Sequence, residues 1–187
     1  MDERDDDDNL LALIVSGDRL AFGQLMDRHA DRVFALARSV TGAPADAEDV
    51  TQDVFLAVWQ NAAGWRPGKA RFATWLYRVT LNRGLNHKTR VAARHVPLDA
   101  AAEPPDPAPA ADEALDERRR RDRLTEALTA LPENQRIAMT LTYTAGLANA
   151  EAAAAMEISV KALEALLVRA RRTLRETLGR QEPGGDA

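Results

Sequence analysis

Apolar residues along this chain recur at steps of three and four, and nowhere do they alternate with period two for long enough to build a sheet. Leu10, Leu13 and Ile14 open one segment, and Phe22, Leu25, Met26, His29, Val33, Leu36, Ala37 and Val40 draw a stripe along a second. Gly42 and Pro44 interrupt this stripe, and Val50, Val54 and Val58 mark one line of a helix predicted from about Ala45 to Ala62. Gly64, Pro67 and Gly68 make the next loop, after which Phe72 to Thr89 read as helix again. Farther on, a helix from Arg118 ends at Leu131, and Pro132 opens another that Gly146 closes. Asn149 to Met156 form a short helix, Glu157 and Ile158 a tight turn, and Ser159 the N-cap of a long helix to about Leu178. The pattern predicts an all-α protein.

Between Val96 and Asp112, Pro97, Pro104, Pro105, Pro107 and Pro109 are mixed with alanines and acids. Proline removes donors and fixes φ, so this stretch reads as a flexible Pro/Ala-rich linker between two small helical domains. Extended, such a tether spans roughly 50 Å. The expected organisation is an acidic tail over 1–9, a helical domain over 10–95, the linker over 96–117, a second domain over 118–179 and a tail over 180–187. Two helices joined by a short turn, the second rich in Arg, make the second domain a helix-turn-helix candidate. An antiparallel helical hairpin with no DNA role fits the same letters.

Composition narrows the chemistry. The 187 residues hold no cysteine, which removes disulfides and thiolate chemistry and suits a reducing cytoplasm. The first residues are acidic where a secretory signal needs cations and an apolar run, and no later segment suits a bilayer; a cytoplasmic protein without direct membrane insertion is expected. His29, His87 and His95 lack metal-ligand spacing, and no Gly-rich phosphate loop accompanies the carboxylates. No catalytic residue, metal or cofactor is therefore expected, and the chain does not read as an enzyme.

Charge changes the picture most. The net charge is −4, yet between Val54 and Leu98 there is no Asp or Glu, while Arg66, Lys69, Arg71, Arg78, Arg83, Lys88, Arg90 and Arg94 all fall there. Trp59, Trp65, Phe72, Trp75 and Tyr77 stand among or beside these cations. A field of one sign attracts a polyanion, and interleaved rings offer platforms for unstacked bases. A core helix with a solvated basic face fits the same composition. Asp46, Glu48, Asp49, Gln52, Asp53 and Gln60 lie opposite the valine line of their helix, as a docking face for a basic protein helix or as simple complements of the helix dipole. Asp5 to Asp8 read as a solubilising tail.

These residues carry a family resemblance. AFGQLMDRHADRVFALARSVTG, DAEDVTQDVFLAVW and FATWLYRVTLNRGLNHKTR, between Ala21 and Arg90, resemble the second region of bacterial RNA polymerase sigma factors of the extracytoplasmic-function group, group 4. LPENQRIAMTLTYTAGL and ISVKALEALLVRARRTLR, within Leu124 to Leu178, resemble their fourth region, with the linker in place of a larger middle domain. The resemblance implies a dissociable subunit that binds polymerase core, recognises promoter DNA and helps to open it. It implies that the helix carrying Asp46, Asp49, Gln52 and Asp53 meets the clamp helices of the β′ subunit. It implies −10 contacts from Trp65, Lys69, Arg71, Arg78, Asn82, Arg83 and Lys88, with Asn82 near a base held out of the stack and Trp75 and Tyr77 packing the helix. It places Ser159, Lys161, Ala162, Ala165, Arg169 and Arg172 at the −35 element, and implies an inhibitory anti-sigma partner. Glu157, Ala148, Glu164, Leu166 and the alanines at 152–155 depart from the family pattern. A stand-alone helix-turn-helix regulator is the alternative.

Overall fold

The computed structural model describes residues 3–68, 71–94 and 122–179, and among them every regular element is helical. The expected linker, the C-terminal tail and Lys69 lie outside the described residues. Four helices form the first module: α1 (Glu3–Val15), α2 (Arg19–Thr41), α3 (Pro44–Asn61), which runs into a 3₁₀ turn over Ala62–Gly64, and α4 (Phe72–Arg94). The Asp18 carboxylate caps α2 by accepting from the Leu20 and Ala21 N–H groups. Gly42, at φ 86°, ends α2 in a conformation that a side chain would strain, and Pro44 opens α3 in its first turn. The predicted stripe is the core: Leu25, Val33, Leu36 and Val40 of α2 meet Val50, Val54 and Val58 of α3 and Leu76 and Tyr77 of α4, all buried.

The second module holds α5 (122–129), α6 (Glu133–Met139), α7 (Asn149–Ala155) and α8 (Val160–Gly179). The helix expected to run from Pro132 to Gly146 changes pitch partway: Thr140–Thr144 form a π turn closed by the Ala145 N–H on the Thr140 carbonyl at 2.8 Å. Leu163, Leu167, Ala170 and Leu174 are the buried ridge of α8, at the three- and four-residue steps that the sequence shows. Buried Ala152, Ala153 and Ala155 let α7 lie close to that ridge.

The N-terminal acids depart from expectation. They form the first turns of α1 rather than a solubilising tail, and Asp7 is only 5% exposed. Its carboxylate accepts from Arg28 Nη1 at 2.7 Å and pairs with His29 Nε2 at 3.0 Å, both on α2, while Arg28 Nη2 donates to Asp6 at 2.7 Å. Burial opposes ionisation of Asp7, but the His29 and Arg28 contacts outweigh it and hold the carboxyl below its usual range. The two modules also touch: α4 packs against α7, α2 meets α6 and the π turn, and one apolar cluster runs through both modules.

Candidate protein and nucleic-acid interfaces

Helix α3 buries its valines and turns the opposite edge outward. Asp49 and Gln52 are exposed, Asp53 is half-buried, and Leu56 (57% exposed) and Trp59 (37%) continue the same edge at helical spacing. The Trp59 ring stands edge-on to Phe22, centroids 5.1 Å apart, so it is braced as well as accessible. This edge combines acceptors with apolar area, the composition of a protein-docking face. Sequence reasoning missed Leu56 and Trp59 as part of it; the signal was an apolar residue off the valine line beside a row of acceptors. Asp46, one turn earlier, is drawn the other way: it pairs with His87 Nε2 of α4 at 2.9 Å.

Helix α4 presents a different surface. Arg78, Asn82, Asn86 and Arg90 recur every four residues and are exposed, so cations and amides share one side. Asn82, Arg83, Asn86 and Arg90, with Val79 and Asp53, line an open groove, and Arg83 Nη1 stands 3.8 Å from Asp53. An amide can both donate to and accept from a base edge, and guanidinium groups pair with phosphate. Asn86 was absent from the expected site; its four-residue spacing from Asn82 was the readable signal. The basic stretch is thus neither wholly core nor wholly surface. Phe72 and Tyr77 are buried, Trp65 and Trp75 are half-buried, and Arg66, Arg78, Lys88 and Arg90 are exposed.

The loop before α4 is braced from α1. Trp65 Nε1 donates to Asp8 at 2.7 Å, and its ring lies edge-on to Phe72 and tilted against Trp75, at 5.7 and 6.0 Å. Trp65, Phe72, Trp75, Gln60 and Asn61 line a cavity of about 330 Å³ floored by Leu11 and Val58. Arg71 and Lys88 face the second module, where Arg71 pairs with Glu151 and Lys88 with Glu133.

In the helix-turn-helix, Ser159 Oγ accepts from the Ala162 N–H at 3.1 Å and so caps α8. Lys161, Ala162, Ala165, Arg169 and Arg172 are exposed, opposite the buried ridge. Val168, 62% exposed on the same side, was not among the expected residues; an apolar side chain there suits a thymine methyl. Glu164 is exposed with them, whereas Leu166 is half-buried and packs against the core. Glu157 holds the turn at φ 56°, where an L-residue is strained. At the head of α7, Ala148 has no side-chain acceptor to offer, and Glu151 instead reaches back to the Ala148 N–H at 3.0 Å.

A helical chain whose second module holds a helix-turn-helix, and whose first module carries a basic amide-lined groove and an acidic–apolar helix, has the surfaces of a DNA-binding transcription protein with a protein partner. Comparison with known families sharpens this class. Residues 25–94 match Sigma-70 region 2 and residues 121–174 match Sigma-70, region 4. The RNA polymerase sigma factor CnrH of Cupriavidus metallidurans is 34% identical over 182 residues, 93% of this chain and 95% of its own length. The ECF RNA polymerase sigma factor SigK of Mycolicibacterium vanbaalenii is 31% identical over 176 residues, 92% of this chain and 89% of its own. The structure of CnrH in complex with the cytosolic domain of CnrY superposes with a TM-score of 0.68 at 31% identity, covering 95% of this chain and 99% of that one. The chain belongs to the extracytoplasmic-function family of RNA polymerase sigma factors, and its function is to direct promoter recognition in transcription. Among the described residues no helix is long and apolar enough to cross a membrane, and no cluster of His, Asp or Glu has the geometry of a metal site.

Proposed function

We propose that the chain is a group 4 sigma factor, a dissociable and non-catalytic subunit that works in the cytoplasm on RNA polymerase core. The α3 edge of Asp49, Gln52, Asp53, Leu56 and Trp59 docks on the β′ clamp helices, and Asp46 supports it from its bond to His87. The α4 groove, with Arg78, Asn82, Arg83 and Asn86, engages the −10 element, Trp65 orders the loop beside it, and Arg71, Lys88 and Lys69 contact phosphates. The exposed side of α8, with Ser159, Lys161, Ala162, Ala165, Val168, Arg169 and Arg172, enters the major groove of the −35 element. Polymerase makes the bonds; this chain supplies recognition and strand opening.

One observation carries the reading: α3 turns an acidic–apolar edge to solvent while α4 turns out cations and amides. A stand-alone DNA-binding regulator leaves exposed Leu56 and Trp59, beside a row of acceptors, without a role. An anti-sigma partner is part of the proposal, because CnrH, a relative of known structure, is found in complex with the cytosolic domain of CnrY. Reconstitution of polymerase core with the full chain on a promoter tests the whole: core-dependent transcription from a defined start is expected. No binding to core at low salt would rule the reading out.

A further inference from the structure

The N-terminal acids reach beyond the core that they help to close. Asp7 ties α1 to α2, and Leu10, Leu11 and Ile14 bury the turns that follow, so the backbone at Asp8 is held from both sides. From there the Asp8 carboxylate accepts a 2.7 Å bond from Trp65 Nε1, 57 residues away in the loop before α4. A bond to an ionised acceptor is roughly twice as strong as a neutral one. Indole has no second polar atom, so Asp8 takes up the whole hydrogen-bonding capacity of this ring. The main chain roots the side chain without aiming it: the Trp65 N–H donates to the Ala62 carbonyl at 3.0 Å, at the end of the 3₁₀ turn. The aim comes from Asp8 and from two rings, Phe72 edge-on at 5.7 Å and Trp75 tilted at 6.0 Å. Leu11, three residues after Asp8, floors the cavity that these rings line, so α1 supplies both the floor and the tether of the aromatic wall.

We propose that Asp8 is a positioning residue for promoter opening: it holds the Trp65 ring as a stacking surface for an unstacked base of the −10 strand. This rests on the assignment of the loop before α4 to the −10 element. With its donor engaged, Trp65 contributes stacking alone, which every base can use, and the reading of base edges falls to side-chain amides such as Asn82. A ring that is already fixed loses little rotamer freedom when a base arrives, so more of the stacking energy appears as affinity. A ring freed from α1 turns about its side-chain bonds, and its bare N–H competes for water, phosphate or the wrong base edge. The acidic first turns of α1 thus serve recognition at one remove, although they carry the same sign as DNA.

The test uses core polymerase loaded with the full chain, and the single-stranded −10 segment of the promoter used for reconstitution. Asp8→Ala, Asp8→Asn, Trp65→Phe and Trp65→Ala are compared, and Asp18→Ala, which removes the α2 cap at the opposite end of α1, controls for lost stability in the same module. Asp8→Ala should weaken oligonucleotide binding about tenfold while binding to core and to −35 duplex stays unchanged; Asp8→Asn, which keeps an acceptor oxygen, should stay within about threefold of the unmodified chain. Trp65→Phe removes the donor, and in that background Asp8→Ala should have no further effect. In the free chain the three tryptophans give three indole N–H resonances, and Asp8→Ala should move the one that Trp65→Phe deletes. A loss with Asp8→Ala no larger than with Asp18→Ala, or equally large in the Trp65→Phe background, overturns the positioning role. Weaker binding with Trp65→Ala but not with Asp8→Ala refutes Asp8 alone, whereas unchanged binding with Trp65→Ala removes the −10 assignment of the loop and the proposal with it.

Discussion

Replacing Asp7 with alanine removes a carboxylate that joins α1 to α2 from a site with almost no contact with water. Two charge-assisted contacts vanish, the 2.7 Å bond from Arg28 and the 3.0 Å pair with His29. Arg28 is not stranded, because its side chain is 26% exposed and keeps Asp6 at 2.7 Å. His29 is: its side chain is 3% exposed, its Nδ1 is already buried without a partner, and Nε2 would join it. An orphaned buried polar group costs about 1–3 kcal/mol, and breaking a buried ion pair costs about 3–5. Since Arg28 stays paired and only the His29 ring is left without a partner, the expected loss is about 3 kcal/mol. All three tryptophans lie in the first module, so urea unfolding followed by their fluorescence reads its stability directly. A lower midpoint with an unchanged slope is expected. The pH dependence adds a second check. The folded-state pKa of Asp7 lies below its ordinary 3.8, so its contribution is complete above 3.8 and is lost as pH falls through the depressed folded value. The gap between Asp7→Ala and the unmodified chain should be full near neutrality and narrow only in acid. A midpoint change worth less than about 0.5 kcal/mol, or a gap indifferent to acid, refutes the reasoning.

Three further outcomes are expected. Reversing charge at Asp49 and Asp53 together should weaken core binding at least about tenfold, or 1.4 kcal/mol, in an equilibrium titration while leaving helical circular dichroism intact; unchanged affinity would remove both from the docking face. Glu157→Gly should stabilise the second module by about 0.5–1 kcal/mol, because relief of left-handed strain at φ 56° exceeds the added freedom of the unfolded chain, and a lowered melting temperature contradicts this. Gly84→Ala places a Cβ 3.1 Å from Val40 Cγ1 and 3.2 Å from Val40 Cβ, and Val40 is buried. Overpacking of about 1–3 kcal/mol outweighs a helix-propensity gain of about 1, so a net loss near 1 kcal/mol is expected, relieved in part when Val40→Ala removes Cγ1 and leaves Cβ; simple additivity in that cycle counts against the steric argument.

Local spacing accounts for what was legible without coordinates. The stripe from Phe22 to Val40, the line Val50, Val54 and Val58, the Ser159 cap and the acid-free stretch all depend on neighbours within a few residues, so helix faces, the two modules and the family motifs could be read from the letters alone. Pairings across tens of residues could not. Asp7 meets Arg28 and His29, Asp8 meets Trp65 and Asp46 meets His87 only because of how α1, α3 and α4 lie against the rest of the fold, and helical period carries no information about that placement. The π turn after Met139 and the exposure of Leu56 and Val168 likewise follow from which surfaces remain uncovered once the helices have packed. Above all, composition made Arg71 and Lys88 cations for a nucleic acid, whereas the fold set Glu151 and Glu133 against them: a charged side chain states what it can bind, and tertiary structure decides what reaches it first.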